Sequence, residues 1–142
     1  MPDRDCHICE MGRSTAPETT IYADGLWTAG TVADVPGWVM LWTNRHTDGP
    51  WELSADEASS FGPLYVGLAR AVREACKGER VYLLYLGENA LHFHAMLVPR
   101  RADAPPDLRG PGIVAKAGEL ADRESALRVA ASIRQRLELP VT

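Results

Sequence analysis

The stretch that most constrains this chain is Ala90-Leu91-His92-Phe93-His94-Ala95-Met96-Leu97-Val98-Pro99-Arg100. In a strand, successive side chains point to opposite faces. Leu91, Phe93, Ala95 and Leu97 then share one apolar face, while His92, His94 and Met96 share the other. The alternation predicts a strand over 91–98, central in its sheet, with Phe93 in the core and His94 facing a pocket. A one-residue slip would exchange the two faces. Pro99 cannot donate to a ladder, so the strand is expected to end there. Two partly exposed surface histidines would give the same local pattern, so the rest of the chain has to decide what the pair is for.

Two cysteines bear on that decision. Cys6 and Cys9 form Cys-x-x-Cys near the N-terminus, and Cys76 stands alone near a helix end, where an apolar position suits it. An odd count of cysteines argues against a disulfide framework. Cys-x-x-Cys serves as a zinc half-site, as a redox pair, or arises by chance. A redox motif calls for a βαβ context, and none follows here. A zinc half-site needs two further ligands from elsewhere in the chain.

The remaining pattern predicts the scaffold. Residues 1–18 read as an irregular arm. Strands are expected over 19–23 and 26–29, joined by an Asp24-Gly25 hairpin turn, and over 38–43 after the Pro36-Gly37 turn. A loop containing Asn44, Arg45 and His46 follows. Ser54-Ala-Asp-Glu57 has the form of a capping box. Phe61, Leu64, Tyr65, Leu68, Val72 and Ala75 then give a helical stripe that ends at Gly78, with Pro63 expected to kink or divide it. A fourth strand is expected over 80–86, turning through 87–89 into the fifth. Residues 101–114 read as loop, and a last helix is expected over 121–137 with Ala126, Leu127, Ala130, Ile133 and Leu137 on its apolar face. The sum is a single α+β domain over 1–142: a five-stranded, mainly antiparallel sheet with helices packed on it, the 101–142 portion being loop plus helix. A chain of 142 residues is long enough to bury such a core.

In order, the chain presents Cys-x-x-Cys, then Pro36-Gly37-Trp38-Val39-Met40-Leu41 with Asn44-Arg45-His46, then His92-x-His94, then Pro99-Arg100. This combination, over residues 6–100, resembles the histidine-triad (HIT) superfamily, in its zinc-containing branch. That superfamily includes dinucleoside polyphosphate hydrolases, nucleoside phosphoramidases and, more distantly, galactose-1-phosphate uridylyltransferase. The resemblance implies the HIT-like fold and a set of roles. His94 falls on the middle histidine, which attacks the α-phosphorus and carries a covalent nucleotidyl intermediate; a neutral imidazole is a competent nucleophile near neutral pH. His92 falls on the first histidine, a metal ligand in that branch, with Cys6, Cys9 and His46 on the other ligand positions. Such a Cys2His2 zinc site is closed and tetrahedral. It would be structural, stapling the N-terminal arm to the sheet and orienting His94 two residues on.

The sequence departs from the family pattern in three places. Met96 stands where the third histidine would hydrogen-bond the phosphate or assist the leaving group, and a thioether donates nothing. Trp38 replaces the histidine of the family's Pro-Gly-His. The acidic residue that holds the ribose aligns with Gly30, Asp34 being out of phase. Asn89, just before the last strand, and Arg100, just after it, are candidate substrate contacts beside Met96, with ordinary turn and surface chemistry as the alternative for both.

Two functional readings follow. One is a HIT-like hydrolase or nucleotidyl transferase acting on a nucleotide or other small phosphorylated substrate. The other is a zinc-stabilised nucleotide-binding protein without turnover. A net charge of −4 and the lack of an Arg/Lys stripe count against a nucleic-acid partner. A polar N-terminus and the lack of a membrane-length apolar run lead us to expect a cytoplasmic protein with no membrane partner. The family resemblance implies a homodimer.

Overall fold

The computed structural model describes residues 5–14 and 16–139. Its frame is a five-stranded sheet of β1 (Thr20–Ala23), β2 (Trp27–Thr31), β3 (Val39–Thr43), β4 (Arg80–Leu84) and β5 (His94–Arg100). The strand order is β1-β2-β3-β5-β4, and every pairing is antiparallel. The last strand thus lies between β3 and β4, inside the sheet.

One sheet face is the core. Ile21, Trp27, Ala29, Val39, Leu41, Phe93 and Leu97 pack against Leu64, Leu68, Ala71 and Val72 of α2 (Ala55–Cys76) and Ala130 and Ile133 of α4 (Arg123–Arg136). This is the face that the alternation assigns to Phe93, which is 5% exposed. The opposite face is covered in two patches. Ile8 of α1 (His7–Arg13) sits on Met40 and Trp42, while Ile113 sits among Val35, Trp38 and Val98. No helix among the described residues is long and apolar enough to cross a membrane.

Several local expectations shift. The arm is not irregular throughout: Cys6 caps α1, its sulfur accepting the Cys9 amide at 3.4 Å. The first hairpin turns on Gly25-Leu26, one residue later than the Asp-Gly pair, because the Asp24 carboxylate accepts both the Leu26 and Trp27 amides at 2.7 Å. Ser54 and Glu57 form the reciprocal capping box, and α2 then runs undivided through Pro63. The carbonyl that Pro63 leaves without a helical donor belongs to Ser59, on an exposed turn where water can serve it. The helix ends at Lys77, not Gly78, with Lys77 itself in the left-handed region at φ 51°. Pro99 does not end β5: it pairs with Val81, and the ladder to β3 has already finished at Leu97, so no bond is lost on that side. Residues 106–108 and 110–116 form 3-10 turns, and a short α3 (Ala117–Leu120) precedes α4, where only loop was expected.

Candidate metal centre and nucleophile

The site is built at the start of β5, where two segments close on it. The first is the 43–47 loop leaving β3. The Phe93 amide donates to the Thr47 carbonyl at 2.9 Å. His92 Nε2 donates to the Thr43 carbonyl at 2.7 Å, with the Thr43 hydroxyl also 3.3 Å away. A carbonyl only accepts, so the proton is on Nε2 and the His92 Nδ1 lone pair points the other way. Burial holds the His92 imidazole below its usual range, which keeps it neutral, although the Thr43 carbonyl pulls in the opposite direction.

The second segment is the arm. It delivers both thiols to His92 Nδ1: Cys6 Sγ and Cys9 Sγ each lie 3.4 Å from it. Cys9 Sγ is 3.3 Å from His46 Nδ1. The two imidazoles stand nearly perpendicular, their centroids 5.1 Å apart. All four ligand atoms of Cys6, Cys9, His46 and His92 lie within 4.8 Å of one another. With zinc–sulfur bonds of about 2.3 Å and zinc–nitrogen bonds of about 2.0–2.1 Å, a tetrahedral site has sulfur–nitrogen edges of roughly 3.5 Å. The donor set and its spacing therefore fit a zinc ion.

His46 is held from behind. Its neighbour Arg45 donates to Glu57 Oε1 at 2.7 Å and to the Glu52 carbonyl at 2.7 Å. Glu57 is buried, which by itself would raise its pKa; the hydrogen bonds from Arg45 and the Ser54 amide more than offset this and hold the carboxyl below its ordinary range. The capping box was legible in the sequence, but its ion pair to the residue beside His46 was not. The Thr43 carbonyl is a backbone group, and no side-chain pattern announces it.

His94 lies just beyond the cluster on the face opposite Phe93 and is half-buried. Its Nδ1 is 2.7 Å from the His92 carbonyl. The carbonyl fixes the proton on Nδ1 and leaves the lone pair on Nε2. Trp42 is its direct cross-strand partner on β3. The Tyr85 ring lies 6.1 Å away, edge to face.

The other candidate residues separate. Met96 shares the face with His94 but sits in an apolar row, opposite Met40 on β3 and Leu84 on β4. Asn89 is exposed and lines a cleft with Cys6, His46 and Asp48, on the metal-cluster side. Arg100 is not brought to His94. Six residues of strand, or about 20 Å, separate them. Arg100 is instead 9% exposed, paired to Glu79 at 3.0 Å and within 3.4 Å of the Tyr82 hydroxyl. Of the two positions considered for holding a sugar, Gly30 has no side chain to offer and Asp34 is paired with Arg123 at 3.0 Å.

No family model matches the sequence, and no curated protein matches it. Solved structures do. A Hit-like protein involved in cell-cycle regulation from Bartonella henselae superposes with a TM-score of 0.73 at 15% identity, covering 95% of this chain and 98% of that one. A hypothetical histidine triad nucleotide-binding protein from Sulfolobus tokodaii gives 0.73 at 17% identity, covering 92% and 91%. A zinc-bound histidine triad family protein from Mycobacterium smegmatis gives 0.66 at 21% identity, covering 92% and 94%. Identity this low carries the fold and nothing finer, and the fold of this chain is that of the histidine-triad proteins.

Proposed function

We propose that the protein is a nucleotide hydrolase or nucleotidyl transferase of the histidine-triad kind, with His94 as its nucleophile. The observation that supports this most is the 2.7 Å bond from His94 Nδ1 to the His92 carbonyl. In the neutral ring it puts the proton on Nδ1 and turns the Nε2 lone pair outward on a half-exposed side chain, the requirement for in-line attack at phosphorus.

In the first step Nε2 bonds to the α-phosphorus, and the bond from phosphorus to the leaving group breaks, its electron pair departing with that group. In the second, water attacks phosphorus, the N–P bond breaks, the water proton passes to solvent, and His94 returns to its starting tautomer. Held by Cys6, Cys9, His46 and His92, a zinc ion would supply a structural staple and not a Lewis acid for the substrate, because a four-protein-ligand set keeps no open position. The neighbours of His94 contribute mainly position. The 43–47 loop holds His92, and the His92 carbonyl holds the ring of His94.

Met96 shapes which substrates suit the site. A thioether between Met40 and Leu84 gives a leaving group no proton. Groups that depart as stable anions, such as a nucleotide released from a phosphoanhydride, are favoured over amines released from phosphoramidates. The same Met96 favours the second reading, a zinc-stabilised nucleotide-binding protein without turnover. The homodimer implied by the family would have an available surface at edge strand β4, where Leu83 is exposed, as is Leu86 just past the strand.

Steady-state assays on dinucleoside polyphosphates and nucleoside phosphoramidates separate the readings. We expect slow turnover of the anhydrides, its abolition by His94→Ala, and a rise on Met96→His of roughly a hundred- to a thousandfold, by analogy with restoring one transition-state hydrogen bond. Undiminished turnover by His94→Ala would remove His94 from the mechanism. No turnover by wild type, together with nucleotide binding, would favour the second reading.

A further inference from the structure

A cavity of about 660 Å³ opens at the other end of the sheet, past Arg100. That volume lies within the roughly 300–1,000 Å³ of sites for small organic molecules. Its walls come from parts of the chain distant in sequence. Trp38 precedes β3, Ile113 and Leu120 come from the segment between β5 and α4, and Val129 belongs to α4. These side chains make an apolar interior.

The segment forming one wall is pinned. The Gly110 amide donates to the Tyr82 hydroxyl at 2.8 Å, and Arg109 closes the loop on the Ala102 and Ala104 carbonyls at 2.7 and 2.9 Å. The cavity is thus preformed, and a ligand entering it would not first have to order this segment.

Its charge is opposite to that of the chain. Lys77, Arg100 and Arg101 line it against one carboxylate, Asp103, a balance of three cations to one anion in a protein of net charge −4. Arg100 is committed to Glu79, but Lys77 and Arg101 are exposed. The Arg101–Asp103 pair, at 3.2 Å between exposed side chains, is of the kind worth little in water and readily exchanged for a ligand anion. The Cys76 thiol in the wall is pushed up to about 11 by burial, against the opposing field of Arg101, so it adds a neutral polarizable surface and no second anion.

We propose that this cavity is a second ligand site, separate from His94, for a small organic anion with an apolar body and a single carboxylate. The body fills the space between Trp38, Ile113, Leu120 and Val129, and the carboxylate meets Lys77 and Arg101 at the mouth.

Displacement of 8-anilinonaphthalene-1-sulfonate from the full-length, zinc-loaded protein by decanoate and by decanol tests this. Decanoate is expected to displace the dye at a concentration at least tenfold lower than decanol does. The double variant Lys77→Glu, Arg101→Glu, whose changes are both at exposed positions, is expected to erase that difference. Val129→Trp is expected to weaken dye binding at least tenfold by filling the cavity. Equal potency of decanoate and decanol on wild type would overturn the anion assignment. Unchanged dye binding by Val129→Trp, with the fold verified by circular dichroism, would place the ligand elsewhere and overturn the site.

Discussion

Strand β5 has two ends that solve opposite problems. At the His94 end, polar groups are brought together and satisfied: His92 bonds the Thr43 carbonyl through one nitrogen and faces two thiols with the other. At the Arg100 end, a buried guanidinium is neutralised by Glu79, and beyond it the chain leaves an apolar space open. The first end is a place where each atom's direction is dictated, and the second one where only volume and charge sign are. The two ends therefore leave different signals in a sequence. Directed chemistry demands particular residues at particular spacings, whereas a cavity is assembled from ordinary apolar residues scattered over four segments.

The largest expected effect tests the directed end. Cys9→Ser removes one of four converging ligands. We expect loss of bound zinc and a fall in unfolding free energy of more than about 4 kcal/mol, the range in which loss of a structural metal falls. Denaturant unfolding with parallel zinc analysis measures both. A variant that loses its zinc yet keeps wild-type stability would show that the arm does not depend on the cluster.

A smaller effect is expected behind His46. Arg45→Ala leaves the Glu57 carboxylate, 2% exposed, without its cation. The carboxylate keeps its bond from the Ser54 amide, so the cost is that of one hydrogen bond to a charged group, about 1.5–3 kcal/mol, and the low end is expected because half of Arg45 is already in water. The pH dependence has a fixed sign. The folded pKa of Glu57 lies below its ordinary value, so its contribution is fully present above the ordinary carboxylate range and is lost as pH falls through the depressed folded value. Unfolding curves at neutral and at acid pH should therefore converge between wild type and Arg45→Ala as the solution is acidified. A gap that widened on acidification would contradict the pairing.

The smallest effect belongs to the cavity end. Lys77 closes α2 in the left-handed region, which glycine adopts without the Cβ penalty. Lys77→Gly is expected to stabilise by about 1 kcal/mol in thermal unfolding while weakening organic-anion binding. Destabilisation would mean that the lysine side chain contributes more to the fold than its backbone conformation costs.

How much was legible in the sequence follows the same division. Period-2 alternation placed Phe93 in the core and His94 on the other face, and the Cys6, Cys9, His46, His92 set converges as the family resemblance implied. The capping box at Ser54 formed because two side chains and two amides suffice to specify it. What failed was decided by groups the pattern does not contain. Pro99 continues its strand because the β3 ladder stops early. Arg100 turned inward because Glu79 and Tyr82, about 20 residues upstream, were waiting for it. The helix α1 was missed because its capping sulfur belongs to the same cysteine read as a metal ligand. The turns of 106–116 were missed because their order comes from a tyrosine on β4 and not from local periodicity.

In the proposed function, the directed end of β5 presents His94 Nε2 for attack on phosphorus. Rapid quenching of the zinc-loaded protein with diadenosine tetraphosphate, followed by peptide mass spectrometry under conditions that preserve N–P bonds, tests it most directly. An adenylyl mass increment is expected on the peptide containing His94, forming before product accumulates and absent in His94→Ala. Turnover with no adduct at His94, or with an adduct on another residue, would contradict it.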